Sequence, residues 1–387
     1  VLALIVLLGL VGVAAVVARN LMVFRPAPPP IDGAPPLSIL MPVRDEEEGV
    51  EAAVRAAAAQ AGAAEVLVLD DGSTDATPAI LARLVRELPR LRVVAGAPLP
   101  EGWAGKAWAC WQLASEHARG QWLLFIDADV RLEPDAARRA LAAAREASVP
   151  FLTAFPRQIT ASLGEALVVP LIHLVLLAYL PMWLIGRVPR PSLAAGCGQF
   201  ILAERVAYLA AGGHRAIRST LHDGLQLARR MKEAGFAIGL VDGTDLATCR
   251  MYAGLAATWR GFARNAYEAL GSPAVLAVMV ALNAALFVLP FVAFPVALVT
   301  EGFSPASALW GLAVALAMAL RAVLALRFRA PLWTALATPL AVALMIGIQL
   351  SSYANARLGR RVTWRSRTYP STRPAPGAER ATVANPK

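Results

Sequence analysis

In the hexapeptide FIDADV, residues 125–130, an apolar run ends on two acids with one small residue between them. Side chains at i and i+2 of an extended strand share a face, so Asp127 and Asp129 are expected to set two like charges side by side. That arrangement is costly unless a cation lies between them. Oxygen-only ligands suit Mg²⁺ or Mn²⁺, and magnesium is commonly held by one or two carboxylates together with substrate phosphates. Asp129 is the better candidate for direct ligation, with Asp127 reaching either a bound nucleotide or the metal through water. Further acids stand at Asp45 in PVRDEEE and at Asp70 and Asp71 in VLDDGSTDAT. Gly72 allows a tight turn there, and Ser73, Thr74 or Asp75 can cap the next helix. Capping needs one such group, so Asp71 is kept as a candidate for chemistry.

The elements that must position these acids alternate along the chain. LSILMPV, EVLVLDD, RLRVVAG and WLLFIDAD read as strands. DEEEGVEAAVRAAAAQ, DATPAILARLVREL, KAWACWQLASEHA and EPDAARRALAAARE read as the helices between and after them. Such alternation predicts an α/β fold, a doubly wound and mostly parallel sheet with helices on both faces. Ligands of these sheets sit outside the carboxyl ends of the strands, where Asp45, Asp70, Asp71, Asp127 and Asp129 all fall.

The remainder of the 387 residues is oily: 57% are hydrophobic and 17% charged, and the mean hydropathy is +0.55. Residues 1–18 form an uncharged run of spanning length, closed by Arg19 and Arg25 and read as an uncleaved anchor over 1–24. A proline-rich linker, 25–36, follows. Three later runs, near 273–299, 305–326 and 331–353, predict about three membrane helices within 271–355, ahead of a basic tail, 356–387. The net charge of +10 gathers beside the apolar runs and in that tail, which suits anionic headgroups and argues against nucleic acid. Cys110, Cys197 and Cys249 have no metal-ligand spacing and are expected as buried thiols. Residues 166–186 are apolar, but Pro170, His173 and Pro181 interrupt them, so a segment lying in or dipping into the interface is preferred to a span.

PVRDEEE, VLDDGSTDAT, GWAGKAWAC, FIDADV and GGH…HDGLQLARRMKEAG together resemble the family-2 glycosyltransferases, inverting enzymes of the GT-A fold. The resemblance covers about 37–270 and is nearest to the membrane-bound branch that includes carotenoid and hopanoid-associated enzymes. It implies a nucleotide-sugar donor, most often a UDP-sugar, with Asp45 and Asp71 at the uracil and ribose and Pro42 and Val43 lining the base through backbone. Lys106 is either a phosphate contact or a surface lysine at a helix start. By the same resemblance Asp223 is the catalytic base, although His222 stands where the family has an acid. On the acceptor side, Gly212 and Gly213 would let backbone approach the sugar, His214 is a candidate contact, and Trp259 and Arg260 of TWRG are the nearest match to the family's acceptor motif. That motif is incomplete, which favours a single transfer over a processive synthase.

The expectation is therefore a multi-pass enzyme of the cell (inner) membrane with its catalytic domain in the cytosol, moving a sugar to a lipid or isoprenoid acceptor. A polyprenyl-phosphate or polysaccharide synthase is the alternative, and a non-catalytic membrane nucleotide-binding protein a second one. The charge rule leaves the tail's side unresolved, since three late crossings would carry it away from the catalytic domain.

Overall fold

Seven consecutive residues of LSILMPV are apolar or small, as a strand covered on both faces requires. In the computed structural model they form β1 (Leu37–Val43), at the middle of an eight-stranded sheet. The model describes residues 1–33, 35–364 and 367–370, so most of the basic tail lies outside the described residues. The other strands are β2 (Ala63–Asp70), β3 (Leu91–Ala95), β4 (Trp122–Ile126), β5 (Val130–Leu132), β6 (Phe151–Gln158), β7 (Phe200–Glu204) and β8 (Ile238–Cys249). Their order is β3-β2-β1-β4-β7-β6-β8-β5. Pairings β1–β2, β2–β3, β1–β4 and β6–β8 are parallel, while β7 runs against β4 and β6 and β5 against β8. The expected mostly parallel α/β sheet is present, with two antiparallel strands that the alternation pattern did not reveal.

The strands' two faces belong to different cores. Ile39, Met41, Val66, Val68, Leu124 and Ile126 pack with the helices Val50–Ala58, Thr77–Glu87 and Ala136–Glu146. Leu40, Leu67, Leu69, Leu123 and Phe125 share a core with Leu10, Val17, Leu174, Leu320 and Met345 of the apolar helices. Alternate strand residues therefore weld the catalytic sheet to the helix bundle without a linker between their interiors.

Four helices are long and apolar enough to cross a membrane: Leu2–Val23, Pro273–Glu301, Pro305–Arg327 and Thr338–Arg357. The second is broken at Val288 into Pro273–Phe287 and Leu289–Glu301, with Pro290 opening the second half. Segment 166–186 holds the end of a helix at Leu163–Val168 and a second helix at Leu171–Tyr179, interrupted at Pro170 and shorter than a span. Asn20 of the first helix ties it down, donating to the carbonyls of Leu177 and Leu180 at 2.7 Å and accepting from the Met182 N–H at 2.9 Å. Arg327 and Arg329, at the end of the third apolar helix, pair with Asp242 (2.5 Å) and Asp245 (2.6 Å) of β8. Phe24 meets Phe328 at 6.1 Å, so the first and third apolar helices both end against the sheet domain.

Candidate active site

Three local departures from the sequence pattern build the site. β4 stops at Ile126, and Asp127–Asp129 form a turn closed by the Val130 N–H on the Asp127 carbonyl at 3.1 Å. The two acids are thus not strand neighbours sharing a face, which corrects that expectation. Likewise the helix expected from Asp45 begins only at Val50, because Asp45 sits at φ +52° and turns the chain. Arg131 then clips this loop to the acidic turn, donating to Ala128 O at 2.9 Å and Gly49 O at 2.7 Å.

The cation that the acidic pair requires is, in the first instance, a lysine. Lys106 Nζ lies 2.6 Å from Asp127 Oδ1 and 2.8 Å from Asp223 Oδ2, and donates to the Gly198 carbonyl at 3.2 Å. A surface position for Lys106 is therefore excluded. Asp223 opens the helix Asp223–Glu233, whose start accommodates a carboxylate, and its Oδ1 accepts from the Gly224 N–H at 2.8 Å. Gly196 and Gly198 let this helix start approach: a methyl at 196 would overlap the Gly224 carbonyl, and one at 198 the Asp223 carboxylate. Burial alone would raise Asp223, but Lys106 overrides it and holds the carboxyl at about 2. Asp127 behaves oppositely; burial, with Asp129 and Asp223 adding to it, raises it to about 7 against the pull of Lys106.

Asp129 is left short of charge. Its carboxyl is raised by burial and by Glu46, and its Oδ1 is buried with no hydrogen-bond partner. An unpartnered carboxylate oxygen next to a second acid is the donor set a hard divalent cation takes. Among the described residues no group of three or more His, Cys, Asp or Glu could hold a metal by itself. The acids thus fit a cation that also draws ligands from a bound anion, the usual habit of Mg²⁺.

At the other end, Asp45 and DGSTD interlock. Asp45 Oδ1 accepts from the Thr74 N–H at 2.8 Å, and the Asp45 N–H donates to Ser73 Oγ at 3.0 Å. Asp70 accepts from the Ser73 N–H (2.9 Å) and Asp75 from the Thr77 N–H (2.9 Å), the turn and cap chemistry expected of that loop. Asp71 takes no part in it. It is 6% exposed, and its carboxylate is gripped by both terminal nitrogens of Arg367, Nη2 to Oδ1 at 2.9 Å. Pro42 pairs with Leu69 in the β1–β2 register just before these acids.

Of the residues expected on the acceptor side, His214 is buried, its Nδ1 2.8 Å from the Tyr208 hydroxyl and its ring 5.1 Å from Phe125. Gly213 makes room for the Tyr208 ring. Trp259 packs on Gly347 of the last apolar helix, while Arg260 is exposed. Sequence reasoning missed Arg367, and no local signal marks a partner 296 residues from Asp71.

Residues 38–160 match the model of glycosyl transferase family 2. A succinoglycan biosynthesis protein, ExoO, of Rhizobium meliloti is 34% identical over 115 residues, 30% of this chain and 31% of that protein. The 4,4'-diaponeurosporenoate glycosyltransferase of Staphylococcus aureus is 26% identical over 220 residues, 56% of each chain. The matches thus span between a third and just over half of these relatives' length. Among solved structures, the mannosyltransferase PcManGT of Pyrobaculum calidifontis, in complex with GDP-Man and Mn²⁺, shares the fold with a TM-score of 0.53. It is 18% identical and the likeness covers 89% of this chain and 99% of that one. The eight-stranded sheet and its helices therefore have the GT-A-type fold expected from the motifs.

Proposed function

We propose that this chain is a membrane-bound inverting glycosyltransferase that moves a sugar from a nucleotide-sugar, a UDP-sugar by preference, to a lipid or isoprenoid acceptor. The observation that carries the reading is the buried Lys106 bridge between Asp127 and Asp223, beside the unpartnered Asp129 oxygen. Asp45, Asp71 and the backbone at Pro42 and Val43 hold the nucleoside, and Asp127 and Asp129 hold Mg²⁺ or Mn²⁺. Bound there, the cation supplies positive charge to the diphosphate as it departs. The likeness to a mannosyltransferase solved with GDP-Man and Mn²⁺ supports this assignment, as does a relative named for a carotenoid acid.

In the transfer, Asp223 removes the proton of the acceptor hydroxyl while that oxygen bonds to the anomeric carbon, and the bond from that carbon to the diphosphate breaks. A base held at about 2 by Lys106 is too weak for this work at neutral pH. The donor's diphosphate is a competing anion for Lys106. Drawing the lysine toward it frees Asp223 to become basic, so the base is armed by donor.

The apolar helices explain an acceptor drawn from the leaflet. Arg327 and Arg329 pair with the sheet domain, and Arg367 reaches Asp71, which supports one side for the domain, the end of the third apolar helix and Arg367. In this reading the helices 273–301 and 305–327 go out and return, and Thr338–Arg357 lies along the membrane surface. Contacts that support it are Gly347 against Trp259 and the Tyr267 N–H donating to Ser352 Oγ at 3.0 Å. Cytosolic nucleotide-sugars put that side in the cytosol. The test is mass spectrometry of lipids from cells expressing wild type or Asp223→Asn, with the donor varied. A glycolipid lost in the variant supports the reading; a polymer or polyprenyl-phosphate sugar supports the synthase alternative, and transfer to water-soluble acceptors alone refutes both.

A further inference from the structure

Asp71 is a buried acid whose neighbours are acids. Asp70 precedes it, and Asp45 lies across the same loop, where it holds Thr74. A carboxylate buried in such a place is costly without a cation against it. Arg44 Nη1 donates to the backbone carbonyls of Asp71 and, at 3.1 Å, Gly72, and its Nε lies 3.9 Å from Asp45 Oδ2. The guanidinium of Arg367 supplies a cation to the Asp71 carboxylate, from β10 (Arg367–Pro370), which pairs antiparallel with β9 (Arg361–Trp364). The helix Thr338–Arg357 precedes this hairpin in the chain.

We propose that Arg367 is a positioning residue of the donor site, so that the chain beyond the last apolar helix completes the pocket for a nucleoside diphosphate. This rests on the reading of Asp71 as a nucleoside contact. A guanidinium fork uses one lone pair on each carboxylate oxygen and leaves the others free. The carboxylate is thereby fixed in one orientation with acceptors to spare, and a base N–H or ribose hydroxyl donates to those. Arg367 touches neither the sugar nor the bond that breaks; it acts through Asp71. It also offsets the negative charge that Asp45, Asp70 and Asp71 would present to an incoming diphosphate.

The test uses the full chain in lipid nanodiscs, with UDP and GDP as probes and turnover measured with the donor that supports transfer. Arg367→Ala is expected to raise nucleotide Kd and donor KM at least tenfold at pH 7 and to leave kcat within about twofold. Arg367→Lys restores the charge without the fork and recovers only part of the affinity. Hydrogen exchange over 361–370 should rise in Asp71→Ala without any nucleotide, which reads the contact itself. Unchanged nucleotide affinity in Arg367→Ala, or an increase as expected of a tail that merely blocks the site, overturns the proposal. If Asp71→Ala frees the tail yet binds nucleotide normally, the contact stands and the nucleoside role of Asp71 is what has failed.

Discussion

Replacing Lys106 by methionine removes the positive charge while keeping most of the side chain's volume. Two carboxylates then remain buried face to face. The carboxyl's net fall from 3.8 to about 2, in which burial is outweighed by Lys106 ahead of His214 and His222, is worth on the order of 2 kcal/mol of stability. For a depressed acid that contribution is present above pH 3.8 and is lost as pH falls through 2. Without the lysine, the largest effect opposing burial is gone and the folded value of Asp223 is expected to rise above the unfolded one. The sign then reverses, and the group destabilises the fold as pH climbs through that raised value. Asp127, already at about 7, moves the same way. Breaking a buried pair by removing one partner costs roughly 3–5 kcal/mol when the other charge must persist, and less when it can take a proton. The difference in melting temperature between wild type and Lys106→Met, measured in detergent without nucleotide, should therefore already be present at pH 5, where the wild type holds the whole of this contribution, and grow by several more degrees by pH 8. A difference that stays constant across this range, or a variant more stable at pH 8, would refute the reasoning.

Gly198→Ala pushes a methyl into the Asp223 carboxylate; transfer should fall at least ~100-fold with cation binding retained, since a misplacement of about 1 Å costs that much. Glu165, at the start of the helices Leu163–Val168 and Leu171–Tyr179, accepts from Ser162 and from the Ala161 and Gly254 N–H groups, and pairs with Arg250 at 3.2 Å. Burial is outweighed and its carboxyl lies at about 2, against 4.5 unperturbed, so its contribution of about 3 kcal/mol holds above pH 4.5 and is lost as pH falls through 2. Glu165→Gln should lower the melting temperature at pH 7 and approach wild type only as pH falls to about 2. Because Asp127 is raised to about 7, protons compete with a divalent cation there; Mn²⁺ affinity, read by paramagnetic resonance, should weaken about tenfold per pH unit below 7.

The sheet was legible because its strands are near-continuous apolar runs separated by helices of the other period, and this survives in any context. Its two antiparallel members were not, since β5 is only three residues long and β7 lies beyond the interrupted apolar segment. The acids were found because they follow apolar strands, yet their geometry was misjudged: a strand's last turn cannot be told from its last residues when both read Ile-Asp-Ala-Asp. Lys106 was found only as one of two readings, and its bridge to Asp223 depends on glycines 196 and 198 whose clearance is a tertiary property. The packing of His214 against Tyr208 and of Trp259 against Gly347 has no signal in the motifs that drew attention to them. Arg367 belongs to a contact that only the return of the chain along the last apolar helix creates.

Cation dependence of nucleotide binding tests the central claim most directly. Calorimetric titration of UDP and GDP into the purified chain, with Mn²⁺ present and after chelation, should show at least one of the two binding at least tenfold tighter with the ion. That gain should disappear in Asp129→Asn. Equal affinity with and without the cation, or a gain that survives Asp129→Asn, would contradict the assignment of these acids to a metal-bridged diphosphate.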